Sequence, residues 1–158
     1  MIGDIMKKIF TTVVVSLLIC MCFLTSCIVP TDEVLMSLGS YKSKEFYTSG
    51  GFQDFTDYGK YYYKDKNLEG NRYFTPMTDD LKADFEEHLV SFEGWVELEA
   101  ENDPQNELVV NYDFDMSVVT DDDYIYIYDD PDYDRLGNYD VYLYDSDTDV
   151  LYFFHNNI

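Results

Sequence analysis

Positive charge is scarce in this 158-residue chain: ten lysines and arginines face 32 aspartates and glutamates, a formal net charge of −22. Nucleic-acid binding is excluded on that ground, because phosphate recognition needs clustered cations. Cysteine is absent after Cys27, so residues 28–158 hold neither a disulfide nor a thiolate metal site, and their stability must come from packing. Histidine occurs twice, as His88 and His155, and neither sits in an H-E-x-x-H motif. The G-x-S-x-G elbow of serine hydrolases and the G-x-x-x-x-G-K phosphate cradle are missing. Carboxylates are too numerous to single out a hydrolytic pair. An enzyme is therefore not expected. Nor does any apolar run reach the ~20 residues that span a bilayer; the longest goes from Ile9 to Leu24.

What is abundant is apolar and aromatic mass. Hydrophobic residues make up 46% and aromatic residues 18%, including 16 tyrosines and 11 phenylalanines, which excludes a disordered acidic tail. The N-terminus places Lys7 and Lys8 before the Ile9–Leu24 run, the charged region and apolar region of a signal peptide. Leu24, Thr25, Ser26 and Cys27 follow, an aliphatic residue, two small residues and a cysteine. In these residues the chain resembles the bacterial lipoproteins, and the resemblance covers residues 1–27 only. It implies cleavage before Cys27, a diacylglycerol on the Cys27 thiol, palmitate incorporation, and retention on the extracytoplasmic face of the membrane. Ile28 rather than Asp follows the cysteine; by the same resemblance, that favours the outer membrane in a cell that has two membranes. Two or three acyl chains give a lasting anchor, since each buried methylene contributes ~0.8 kcal/mol.

The expected organisation is a signal peptide over 1–26, a lipidated tether over 27–44, and one domain over 45–158. Charge is uneven along it. Residues 27–75 carry six basic and seven acidic side chains, whereas 76–158 carry two and 24. Thr78 followed by Asp79 and Asp80 reads as a helix start. Leu81, Phe85, Leu89, Phe92, Val96 and Ala100 then recur on one helical face, which favours one amphipathic helix from about Asp79 to about Glu101; Gly94 weakens its middle, and Val96, Leu98 and Ala100 alternating with Glu97, Glu99 and Glu101 would also suit a strand. Runs at 123–129, 139–145 and 149–155 are rich in Tyr, Ile, Val and Phe and predict an antiparallel meander. A further hairpin is expected between 60–64 and 72–75, around Asn67 and Gly70. Residues 105–119 are apolar enough to be ordered but carry no clear type. The class is α+β, one main helix packed on an antiparallel meander.

Alternation gives the meander two faces. Ile125, Ile127, Val141 and Leu143 point toward the helix, while Tyr124, Tyr126, Tyr128, Tyr142 and Tyr144 point away. This tyrosine face is the candidate binding surface for an envelope protein or glycan. Alternatively it is covered by the aromatic segment from Phe52 to Tyr63, with Tyr124 and Tyr142 left more exposed. Asp130, Asp132 and Asp134, and Asp145, Asp147 and Asp149, raise a calcium alternative, because hard cations select oxygen ligands. An EF-hand counted from Asp130 would need Gly and Glu where Arg135 and Val141 stand, and aspartate is common in turns. His88 is expected as a satisfied residue at the border of the helix's apolar face. The leading expectation is a non-catalytic, lipid-anchored binding module; the alternatives are a calcium-dependent adhesive domain and an unrecognised hydrolase.

Overall fold

The computed structural model describes residues 32–51, 54–133 and 136–157. Cys27 and the signal segment lie outside them. The Asp32 carboxylate accepts from the amides of Val34 and Leu35 at 2.9 and 3.1 Å, starting a short helix, α1 (Glu33–Leu38). The chain then forms β1 (Ser43–Thr48), β2 (Phe55–Tyr62), β3 (Thr75–Pro76), α2 (Asp79–Asn102), α3 (Glu107–Asn111), a 3-10 turn (Met116–Val118), β4 (Tyr124–Asp129), β5 (Asn138–Asp145) and β6 (Val150–Asn157). The class is α+β, as the residue pattern predicts. Among the described residues no helix is long and apolar enough to cross a membrane.

The six strands form one antiparallel sheet in the order β1-β2-β6-β5-β4-β3. The meander of β4, β5 and β6 is present within a residue or two of its expected bounds. The folded unit starts before residue 45, however. Ser43 and Lys44 pair with Tyr62 and Tyr61, so the segment expected as tether contains a helix and the start of a strand. The expected hairpin between 60–64 and 72–75 does not form. Tyr61 and Tyr62 pair with Leu151 and Val150 on one side and with β1 on the other, while Thr75 pairs with Ile125 at the far edge. A local turn, with Asn71 N–H donating to Leu68 C=O at 2.9 Å, bends the chain without returning it alongside β2.

Helix α2 begins where its sequence dictates: the Thr78 hydroxyl accepts from the Leu81 amide at 3.3 Å, and Asp79 and Asp80 occupy the first turn. Phe85, His88, Leu89, Phe92 and Val96 are its buried residues. They share one core with Tyr58, Phe114, Ile125, Tyr139, Val141, Leu143 and Phe154. His88 lies inside this core rather than at its border, with an oxygen beside each ring nitrogen. Its Nδ1 meets the Asp84 carbonyl and its Nε2 the Asp129 carboxylate, each at 2.8 Å. The untyped segment 105–119 closes the core with Leu108, Phe114 and Val119, all buried. Asn106 caps α3 through the Leu108 amide at 2.9 Å and reaches the Ser49 carbonyl at 3.0 Å.

Candidate functional site

The pleat aligns side chains in rows across the sheet face turned away from α2. One row is Lys44, Tyr61, Leu151, Tyr144 and Tyr124; the next is Phe46, Gly59, Phe153, Tyr142 and Tyr126; the third is Thr48, Asp57, His155, Asp140 and Tyr128. Gly59 is where two rings need the space: a Cβ there would lie 3.2 Å from Phe46 Cδ2 and 3.6 Å from Phe153 Cβ, and these rings stack at 6.3 Å between centroids. The middle row continues as a chain of ring contacts, Phe153 to Tyr142 at 4.8 Å, Tyr142 to Tyr126 at 6.0 Å, and Tyr126 to Tyr73 at 5.3 Å.

The middle of the first row, Tyr61, Leu151 and Tyr144, is covered. Leaving β2, the chain crosses this face to reach β3 at the opposite edge, and Tyr63 and Tyr73 mark its path over Tyr144 and Tyr126. Its start is fastened by Tyr63 N–H donating to Asp149 C=O at 2.8 Å and Asp65 N–H donating to the Asp149 carboxylate at 2.8 Å. Tyr144 is 1% exposed and its hydroxyl donates to Asp149 at 2.6 Å. Tyr142 is 4% exposed. Two expectations are thereby corrected. The cover is the crossing segment 63–74 together with Tyr41, whose ring lies 5.3 Å from that of Tyr61; Phe55–Tyr62 cannot cover the sheet because it is one of its strands. And Tyr142 is not an exposed edge residue, since rings flank it on both sides. The open residues are Tyr128, 45% exposed, and Phe46, 39% exposed, with Tyr124 and Tyr126 half-buried.

Beside these open rings lies the third row, which is polar. His155 Nδ1 and Asp140 Oδ1 are 2.6 Å apart, and the imidazole lies between the rings of Phe55 and Phe153, at 5.0 and 6.1 Å. Asp57 faces His155 from the other strand, and its Oδ1 is buried without a hydrogen-bond partner. Burial is the main cause that holds the Asp57 carboxyl above its ordinary value of 3.8, with Asp140 adding to it; Thr48 and His155 act in the opposite direction. A carboxyl so raised holds its proton more tightly in the folded chain than in the unfolded one. Stability therefore falls as pH rises from the ordinary carboxylate value through the raised one. Asp57→Asn is expected to raise the melting temperature by a few degrees near neutral pH and to flatten its decline from mildly acidic pH. An unchanged pH profile would contradict the burial argument.

The sequence reading missed Asp57, Asp140, His155 and Phe46 as parts of this face. The signal existed for two of them: the alternation that aligns Tyr142 and Tyr144 puts Asp140 on the same side, and that of β6 aligns His155 with Phe153.

The acidic loops use their carboxylates locally. Asp130 accepts from the Asp132 amide at 3.0 Å and from Asn138 Nδ2 at 3.3 Å. Asp145 accepts from the amides of Asp147 and Thr148 at 2.9 and 3.1 Å. Asp123, buried, bridges Thr120 N–H at 2.7 Å and Ser146 N–H at 2.9 Å. Asp132 is exposed and Asp134 lies outside the described residues. Among the described residues, no group of three or more His, Cys, Asp or Glu side chains is arranged to hold a metal ion.

No protein-family model, curated protein or solved structure matches the chain.

Proposed function

We propose that this chain is a bacterial lipoprotein, a non-catalytic binding module held by lipid on the extracytoplasmic face of the membrane, in the outer membrane where the cell has one. The observation that carries the reading is the Ile9–Leu24 run, preceded by Lys7 and Lys8 and ending in Leu24-Thr25-Ser26-Cys27. Cys27 is the lipidated residue, and the lipid is its one attached group. The binding surface is the open strip formed by Phe46, Phe55, Tyr126 and Tyr128 beside Asp57, His155 and Asp140. Exposed rings offer apolar area, and the carboxylates offer acceptors for the N–H and O–H groups of an envelope protein or glycan.

Labelled palmitate fed to a bacterial host expressing the full chain is expected to enter the wild-type protein and not Cys27→Ser, which should leave the membrane fraction. Retention of the unlabelled variant in the membrane would falsify the lipoprotein reading.

A further inference from the structure

The two edges of the sheet differ. At one edge stands β3, two residues long and ending in Pro76, a residue without an N–H to offer a further strand. At the other stands β1, six regular residues with neither proline nor bulge and Lys44 as its one basic side chain. Such an edge is a template for strand addition.

The phase of its ladder is fixed. Ser49 N–H donates to Thr56 C=O at 2.9 Å. By the alternation of antiparallel pairs, Ser43, Glu45 and Tyr47 direct their main-chain groups at β2, while those of Lys44, Phe46 and Thr48 point outward. We infer that this outward edge pairs with the same edge of a second copy of the chain, antiparallel, about a two-fold axis at Phe46. In that register Phe46 meets the second Phe46, Lys44 meets Thr48, and Glu45 meets Tyr47. Hydrogen-bonding residues face each other, each sheet face continues across the junction, and no like charges are opposed.

The neighbouring registers are poorer. Shifting by one pairing step one way sets Glu45 against the second Glu45, which repels; shifting the other way shortens the shared ladder to Phe46–Thr48. A slip of odd phase would turn aromatic faces against polar ones. The occupant is further indicated by charge. The −22 of the chain resides in residues 76–158, whereas 27–75, which contain β1, are nearly balanced, so two copies meet through the part that repels least. Phe46, already stacked on Phe153, would extend the aromatic row from one sheet into the next.

The test is cysteine cross-linking in the full chain, expressed in a bacterial host, mildly oxidised and resolved without reductant. Facing residues of a hydrogen-bonded pair lie ~5.5 Å apart at Cα, inside the ~4.4–6.8 Å a disulfide requires. Phe46→Cys is expected to give a species of twice the chain mass, above any formed by the unsubstituted chain. Lys44→Cys alone should give at least about tenfold less, since its own copy lies four residues away along the ladder. Lys44→Cys and Thr48→Cys chains expressed together should cross-link to each other, which keeps the test open if Phe46→Cys folds poorly. Adding Lys44→Pro to Phe46→Cys removes one outward N–H, leaves the β1–β2 bonds in place, and should abolish the dimer while the circular dichroism spectrum is retained. Equal cross-linking at 44 and 46, a product with a protein of different mass, or no product from either design would overturn the inference.

Discussion

Phe154→Ala is expected to destabilise the domain by about 3–5 kcal/mol, the range for deleting a fully buried aromatic ring. Phe154 lies on β6 facing α2 and is 1% exposed. Its ring centroid is 5.6 Å from those of Tyr58 and Phe85, 5.3 Å from that of Phe92 and 5.0 Å from that of Phe114. These rings come from the second strand, the main helix, and the segment that joins the helix region to β4, so the side chain ties three parts of the fold together. Collapse around the vacancy is limited because each neighbour is itself anchored: Tyr58 donates to Asp113 at 3.0 Å, and Phe85 and Phe92 are fixed by the helix. Since small domains are stable by only ~5–15 kcal/mol, a large share of the variant would unfold at physiological temperature. Urea denaturation should register a lower midpoint with an unchanged slope. A loss under about 1 kcal/mol would contradict a single core between helix and sheet.

The second large effect separates the covered from the open part of the tyrosine face. Tyr144→Ser should cost about 3–5 kcal/mol at most, because the ring lies beneath Tyr63 and the hydroxyl holds Asp149 at the start of the crossing segment. Tyr128→Ser, at a residue 45% exposed, should stay within about 0.5 kcal/mol, as surface substitutions usually do. The two should reverse in binding. Capture of material from envelope or cell-wall extracts is expected to weaken with Tyr128→Ser while its melting temperature holds. If Tyr128→Ser and Phe46→Ser both leave capture intact, the open strip is not the binding surface.

These expectations show how unevenly the fold was written into local sequence. Helix α2 was legible from its start because its cap, its acidic first turn and its apolar spacing agree, whereas residues 96–101 alternate as a strand would and only the structure settles them as the helix's last turns. The meander was legible because β4, β5 and β6 follow one another with short turns. β1 was not typed as a strand, because it is a polar edge strand whose pattern is set by what lies beside it; of β2 only the end, residues 60–62, was typed, as the arm of a hairpin with 72–75, because nothing local shows that its partners are β1 and β6. His88 looked like a border residue because helical spacing alone does not reveal Asp129, 41 residues later, which satisfies the imidazole and permits its burial.

By itself, the sequence determined the α+β class, the main helix and its buried stripe, the meander and its two faces, the concentration of negative charge after residue 75, and the lack of any cysteine in residues 28–158. These follow from period, composition and charge, which need no distant partner. Only the tertiary structure decided which part of the tyrosine face is open. That depends on segment 63–74 crossing from the second strand to the far edge, a path no local preference specifies. The Asp57, His155 and Asp140 row likewise exists only once β2, β6 and β5 are brought into register, because pairing between strands up to about a hundred residues apart is selected by the burial of whole faces rather than by any short stretch of chain.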